Sequence, residues 1–217
     1  MSLENFEVAL QFLFPAEGGY VNNKNDKGGP TNMGVTQSTY NSYRKTKGLD
    51  LQSVKNITQK EAINLYYENY WKASGADNIE DTNFAVLVFD TAVLHGPYSA
   101  KRFYKLSGGD INKFLDIRRT SYDQIVAKEP SQKEFYNGWI NRVIRLKKNV
   151  DNNVFNEDAE KIKIHDKNTV YINQLESEMF NYSKENESLL NTNSKQVIEE
   201  KFVLSDVKGN LLKKLKA

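Results

Sequence analysis

The chain has 217 residues, 39% hydrophobic and 27% charged, with 30 Lys and Arg against 28 Asp and Glu. This is the balance of an ordinary globular protein with one good core. It contains no cysteine and only two histidines, His95 and His165, which excludes disulfides, thiolate metal sites and cysteine nucleophiles and argues against a zinc site built from His or Cys.

Charge is uneven along the chain. Residues 151–217 hold 10 basic and 12 acidic side chains, so the first 150 hold 20 and 16, a net +4. A mildly basic front suits an anionic polymer, cell wall or nucleic acid, without choosing between them. Met1-Ser2-Leu3-Glu4-Asn5 shows no basic patch followed by an apolar run, and no stretch of ~18 apolar residues exists. The expectation is a protein made in the cytoplasm without a signal peptide and with no membrane span.

Leu3, Phe6, Leu10 and Phe14, with Leu13 beside them, recur at helical spacing behind Ser2 as N-cap, and Pro15 ends or kinks that helix. Glu17-Gly18-Gly19-Tyr20 then allows a sharp turn. Residues 20–36 are polar and punctuated, and predict an irregular loop or small hairpin. Thr36 is placed to cap a helix running to about Lys45. Thr58-Gln59-Lys60-Glu61 has the form of a capping box, followed by the face Ala62, Leu65, Tyr66 and Tyr70. Phe84 to Leu94 is apolar apart from Asp90 and Thr91, the mark of a buried central helix, and Gly96-Pro97 stops it. Helical spacing resumes from about Ile111 to Val126 and, after Glu129-Pro130, from about Ser131 through Phe135, Trp139, Val143 and Leu146. Beyond Val150 the texture changes, with Asn supplying 10 of the last 67 residues. Tyr171, Leu175 and Met179 suggest one helix, Val197 to Val203 another element, and Leu211, Leu212 and Leu215 a short basic amphipathic end. The reading divides the chain into a lobe at 1–97, a helical second lobe at 98–149 belonging to the same compact domain, and an extension at 150–217.

The chemistry gathers near the front. A carboxyl at Glu17, between an apolar helix and a Gly-Gly bend, is placed for partial desolvation, which raises a carboxyl pKa and keeps the acid protonated. Asp26, nine positions on and flanked by Lys24, Asn25 and Lys27, is placed to stay ionised. Thr31 offers a hydroxyl five positions further. Two carboxyls driven apart by their surroundings are what glycosidic cleavage uses: one protonates the leaving oxygen and the other stabilises charge or guides water.

Glu17-Gly18-Gly19-Tyr20, Asp26, Gly28-Gly29, Thr31 and Gly34-Val35-Thr36 together closely resemble the opening signature of an N-acetylmuramidase family of bacteria and phages, glycoside hydrolase family 108, which includes the secretion activator proteins. Val88 to Pro97 resembles the family's central helix, with Leu94 where Asn is usual. Ile117-Arg118-Arg119 and Pro130 to Val143 resemble its segment described as a predicted peptidoglycan-binding domain. The likeness spans about residues 5 to 147. It implies Glu17 as the catalytic acid. Glu17, Asp26 and Thr31 also resemble the Glu, Asp, Thr triad of phage-type lysozymes, with the Asp-to-Thr gap one shorter.

The resulting expectation is a mainly α, lysozyme-like fold with a small β-hairpin or loop near the active site. Glu17, Asp26 and Thr31 are the catalytic residues, and Tyr20, Thr36, Tyr70, Asp90 and Trp139 are candidate substrate contacts. Peptidoglycan strands are the partner, cleaved between N-acetylmuramic acid and N-acetylglucosamine with no metal or cofactor and no nucleic acid bound. A lytic transglycosylase, or a non-catalytic peptidoglycan-binding component of a phage or secretion apparatus, is the alternative. Action on the wall or periplasm then calls for release through a holin, carriage on a virion or a secretion apparatus.

Overall fold

A computed structural model describes residues 3–14, 19–22 and 29–166 of the chain. Ser2, Pro15, Glu17, Asp26 and the three elements expected beyond residue 166 lie outside the described residues. Contacts divide the chain into residues 1–160 and 161–217; the description below concerns the first unit.

The fold is mainly α with one small antiparallel sheet, as the lysozyme-like reading requires. Helix α1 (Leu3–Leu13) leads to strands β1 (Thr31–Asn32) and β2 (Val35–Thr36), then α2 (Gln37–Thr46) and α3 (Gln59–Tyr66), which continues as a π-helical turn (Tyr67–Lys72). Four helices follow: α4 (Thr82–His95), α5 (Pro97–Ser107), α6 (Ile111–Lys128) and α7 (Lys133–Asp151), and α8 (Val154–Asp166) ends the described chain.

The core is organised around α4. Every residue from Thr82 to Ala92 is buried, so the helix is covered on all sides, which is what an apolar sequence with little periodic contrast demands. It packs against α1, α5 and the π-helical turn. Phe6 of α1, Trp71 of the π turn and Phe89 of α4 meet with ring centroids 5.3 to 5.7 Å apart. Burying Phe89 completely contributes about 2–3 kcal/mol. Asn5, also buried, accepts from the Thr82 hydroxyl at 2.9 Å and donates to the Glu80 carbonyl at 3.3 Å, tying α1 to the start of α4.

The helix ends follow the sequence signals. Thr58 and Glu61 form the reciprocal capping box, and Thr36 accepts from the Thr39 amide at 3.2 Å. Gly96 stops α4 as expected, with φ at 82° where a Cβ would be strained. The difference lies in what comes next. Pro97 takes the first position of α5, where its fixed φ suits a helix start and its missing amide hydrogen costs nothing. Nothing in the sequence pattern signals a helix at 154–166, where α8 forms at the start of the segment read as a C-terminal extension.

Candidate active site

The hairpin that follows the glycine-rich segment is built by its turn. Thr31 pairs with Thr36 and Asn32 with Val35, leaving Met33 and Gly34 as a two-residue loop with φ of 50° and 71°. Positive φ at both positions matches the twist of a tight hairpin, and glycine adopts it without strain. Upstream, Val21 bridges Thr31 through two backbone bonds, from the Val21 amide to the Thr31 carbonyl at 2.8 Å and from the Thr31 amide to the Val21 carbonyl at 2.9 Å. Thr31 is therefore held on both sides, by Val21 and by Thr36.

Side chains from three elements fasten this frame. The buried Asn32 donates to the carbonyls of Val54 and Lys55 at 3.2 and 3.1 Å. Gln37 donates to the Gln52 carbonyl and accepts from the Val54 amide. Tyr66, 1% exposed, donates its hydroxyl to the Met33 carbonyl at 2.9 Å. The ring of Phe14, just after α1, meets Tyr66 edge-on at 5.8 Å. The end of the helix leading into the Glu17 segment and the turn of the hairpin thus share one aromatic anchor.

Four sequence-predicted residues come together here. Thr31 donates its hydroxyl to the Gly29 carbonyl at 3.1 Å, which leaves that oxygen's lone pairs to accept from water or a sugar hydroxyl. Thr36 lies across the ladder from it, with its hydroxyl 3.0 Å from that of Thr39. The Thr39 side chain in turn bonds the phenol of Tyr70, whose pKa is pushed above its ordinary value by burial, partly offset by that hydrogen bond. Tyr70 sits on the π-helical turn, with its ring centroid 5.7 Å from that of Tyr66. Tyr20, 39% exposed, lies next to the bridged Val21, with the Lys55 ammonium 5.8 Å from its ring centre. Glu17 and Asp26 lie outside the described residues, on segments whose flanks, Phe14, Val21 and Thr31, belong to this frame.

Asp90 and Trp139 belong to a second group of side chains. Asp90 is 1% exposed on α4. Arg118 of α6 reaches one carboxylate oxygen at 2.7 Å, and Arg142 of α7 donates to the other through Nε at 2.9 Å and Nη2 at 2.7 Å. Burial alone would raise the Asp90 pKa, but the two guanidinium charges more than offset it and hold the carboxyl below its usual range. Arg118 also donates to the hydroxyls of Thr91 at 3.2 Å and Tyr122 at 3.3 Å. Trp139 is half-buried and stacks on Tyr122, with centroids 4.9 Å apart and planes 17° from parallel.

His95 closes the same group. Ser121 donates its only hydroxyl hydrogen to the Arg118 carbonyl at 2.6 Å, so its oxygen, 2.9 Å from His95 Nε2, accepts from the ring. The imidazole is therefore the Nε2-protonated neutral form, with a buried Nδ1 that has no partner. Burial and then the Arg118 charge lower its pKa to about 4, against a smaller pull from Asp90.

A family model described as glycosyl hydrolase 108 matches residues 10–96. Over those residues the chain is similar to that glycoside hydrolase family. The matched stretch contains the hairpin frame, the π-helical turn and all of α4, and so holds every predicted site residue except Trp139. Among solved structures the chain is similar to one titled "Structure of Brucella abortus SagA", with 26% identity and a TM-score of 0.55 over 66% of this chain and 91% of that one. No curated protein matches. No described helix is long and apolar enough to cross a membrane, and no group of three His, Cys, Asp or Glu among the described residues is placed to hold a metal ion.

Thr39, Tyr66 and Arg142 were not among the sequence candidates. The sequence pattern places Tyr66 only on a helix face. Nothing local marks Arg142 or the bond from Thr39 to Tyr70, because Asp90 and Tyr70 are distant from them in the chain.

Proposed function

We propose that this protein is a family 108 glycosidase and a peptidoglycan hydrolase, an N-acetylmuramidase that cleaves the β-1,4 bond between N-acetylmuramic acid and N-acetylglucosamine. Glu17 protonates the leaving oxygen, Asp26 stabilises the developing positive charge or guides water, and Thr31 orients that water. The observation that carries the reading is the frame around Thr31. Backbone bonds to Val21 on one side and to Thr36 on the other fix a hydroxyl with free lone pairs, a few residues along the sequence from Asp26. Tyr20 and Tyr70, from the two sides of that frame, supply aromatic surface suited to sugar faces. The substrate is the cell-wall polymer, reached by export, by release at lysis or from a virion.

The test compares wild type with Glu17→Gln, both shown to be folded, in clearing purified sacculi. Wild type clears them, and the variant loses about three orders of magnitude or more, as follows from removing an acid the chemistry needs. New reducing ends mark hydrolysis, whereas anhydro-muramic ends mark a transglycosylase. Equal rates for the two proteins would remove Glu17 from the mechanism, and failure of wild type on every wall chemotype would leave a binding role.

A further inference from the structure

The Asp90 group is unbalanced in charge. Arg118 and Arg142 share one carboxylate, and one turn along α7 a third guanidinium, Arg145, stands 4.5 Å over the ring of Phe12. Arg142 lies over the same ring at 5.9 Å. Arg145 has no carboxylate partner among the described residues. Two guanidinium groups thus share one carboxylate, and the third stands on Phe12, in the last turn of the helix that leads into the Glu17 segment.

The geometry suits an incoming anion. A guanidinium stacked on an aromatic face keeps its N–H groups directed outward in its own plane, ready for a bidentate carboxylate. Arg142 spends Nε and Nη2 on Asp90 and has no described partner at Nη1. A second, independent feature lies on the same stripe of α7. Gly138, one turn before Arg142, is an exposed glycine in mid-helix, where it costs about 1 kcal/mol relative to alanine. A Cβ built there meets nothing within 4 Å, so no neighbour in the fold demands the glycine. A bare backbone strip beside two guanidinium groups is what a chain lying along the helix needs.

We propose that Gly138, Arg142 and Arg145 of α7, with Phe12 beneath the two arginines, form a subsite for the carboxylate-bearing peptide stems of the glycan polymer. The subsite selects strands that still carry their stems and seats the muramic acid residue relative to the Glu17 segment. This rests on the peptidoglycan reading above.

The experiment measures kcat/KM on glycan strands with intact stems and on the same strands stripped of them by an amidase, together with calorimetric titration of the free stem peptide. Wild type favours stem-bearing strands. Arg145→Gln lowers that preference about tenfold, the size of one charge-assisted bond, and weakens stem-peptide binding in proportion. Gly138→Leu, a good helix former that fills the strip, lowers it as well. Lys148→Gln, the same charge change at another exposed position of α7, leaves it intact. The proposal is overturned if Arg145→Gln keeps the wild-type preference, or if Lys148→Gln lowers it equally. If wild type cuts neither strand, the hydrolase reading falls separately, and the titration still decides: stem peptide bound by wild type and lost in Arg145→Gln supports the subsite, and equal binding overturns it.

Discussion

The buried imidazole of His95 sets an acid limit on this fold. In the unfolded chain it takes a proton near pH 6.5, and in the folded one only near pH 4. Between those values the unfolded state holds the extra proton, so stability falls as pH drops through this window. The full gap is worth about 3 kcal/mol at about 1.4 kcal/mol per pH unit, and about 2 kcal/mol of it is already lost between pH 7 and pH 5. The variant His95→Gln keeps a side-chain amide able to donate to Ser121 and has nothing to protonate. Urea unfolding of both proteins at pH 7, 6 and 5 isolates the effect. The Asp90 carboxylate also loses its stabilising charge on acidification, but it does so in both proteins. Wild type should lose about 2 kcal/mol more than the variant between pH 7 and pH 5. Parallel curves would refute the reasoning and mean that His95 protonates as readily in the folded protein as in the unfolded one.

Two further substitutions test the elements around the site. Asp90→Asn leaves two guanidinium charges around a neutral amide and should cost about 3–5 kcal/mol, read as a fall in thermal midpoint; a change under about 1 kcal/mol would mean that water already screens the cluster. Tyr66→Phe removes the hydroxyl that holds the Met33 carbonyl and should cost about 1 kcal/mol, with a fall in kcat on sacculi larger than the change in KM; a pure KM effect would place Tyr66 in binding rather than in support of the hairpin.

What the sequence revealed, and what it hid, follows from the range of the interactions. Caps act over three residues, so Thr36 and the Thr58–Glu61 box were legible, as was α4, whose unbroken apolar run admits no reading but burial. Helix α5 was not. It buries Ala100, Phe103 and Ser107 while exposing Tyr98 and Leu106, so its aromatic and apolar residues do not trace one face, and the Gly-Pro pair that ends α4 also begins it. The π-helical turn shifts the register of α3, a change that a period of 3.6 does not reveal. A carboxylate inside an apolar helix, as at Asp90, calls for a partner, but its clamp by Arg142 spans 52 residues, and no local pattern selects that arginine. At the site, the polar segment 20–36 predicted a hairpin or loop and Tyr70 was singled out, whereas the bond from Tyr66 to Met33, across 33 residues, exists only in the folded chain.

The two backbone bonds between Val21 and Thr31 bear on how this sequence can vary. They staple the chain on either side of residues 22–30, so the hairpin register does not depend on how many residues lie between. Closing a loop of doubled length costs only about 0.6 kcal/mol more. Insertions and deletions in that interval therefore cost little stability, because Thr31 and the ladder behind it keep their positions whatever its length.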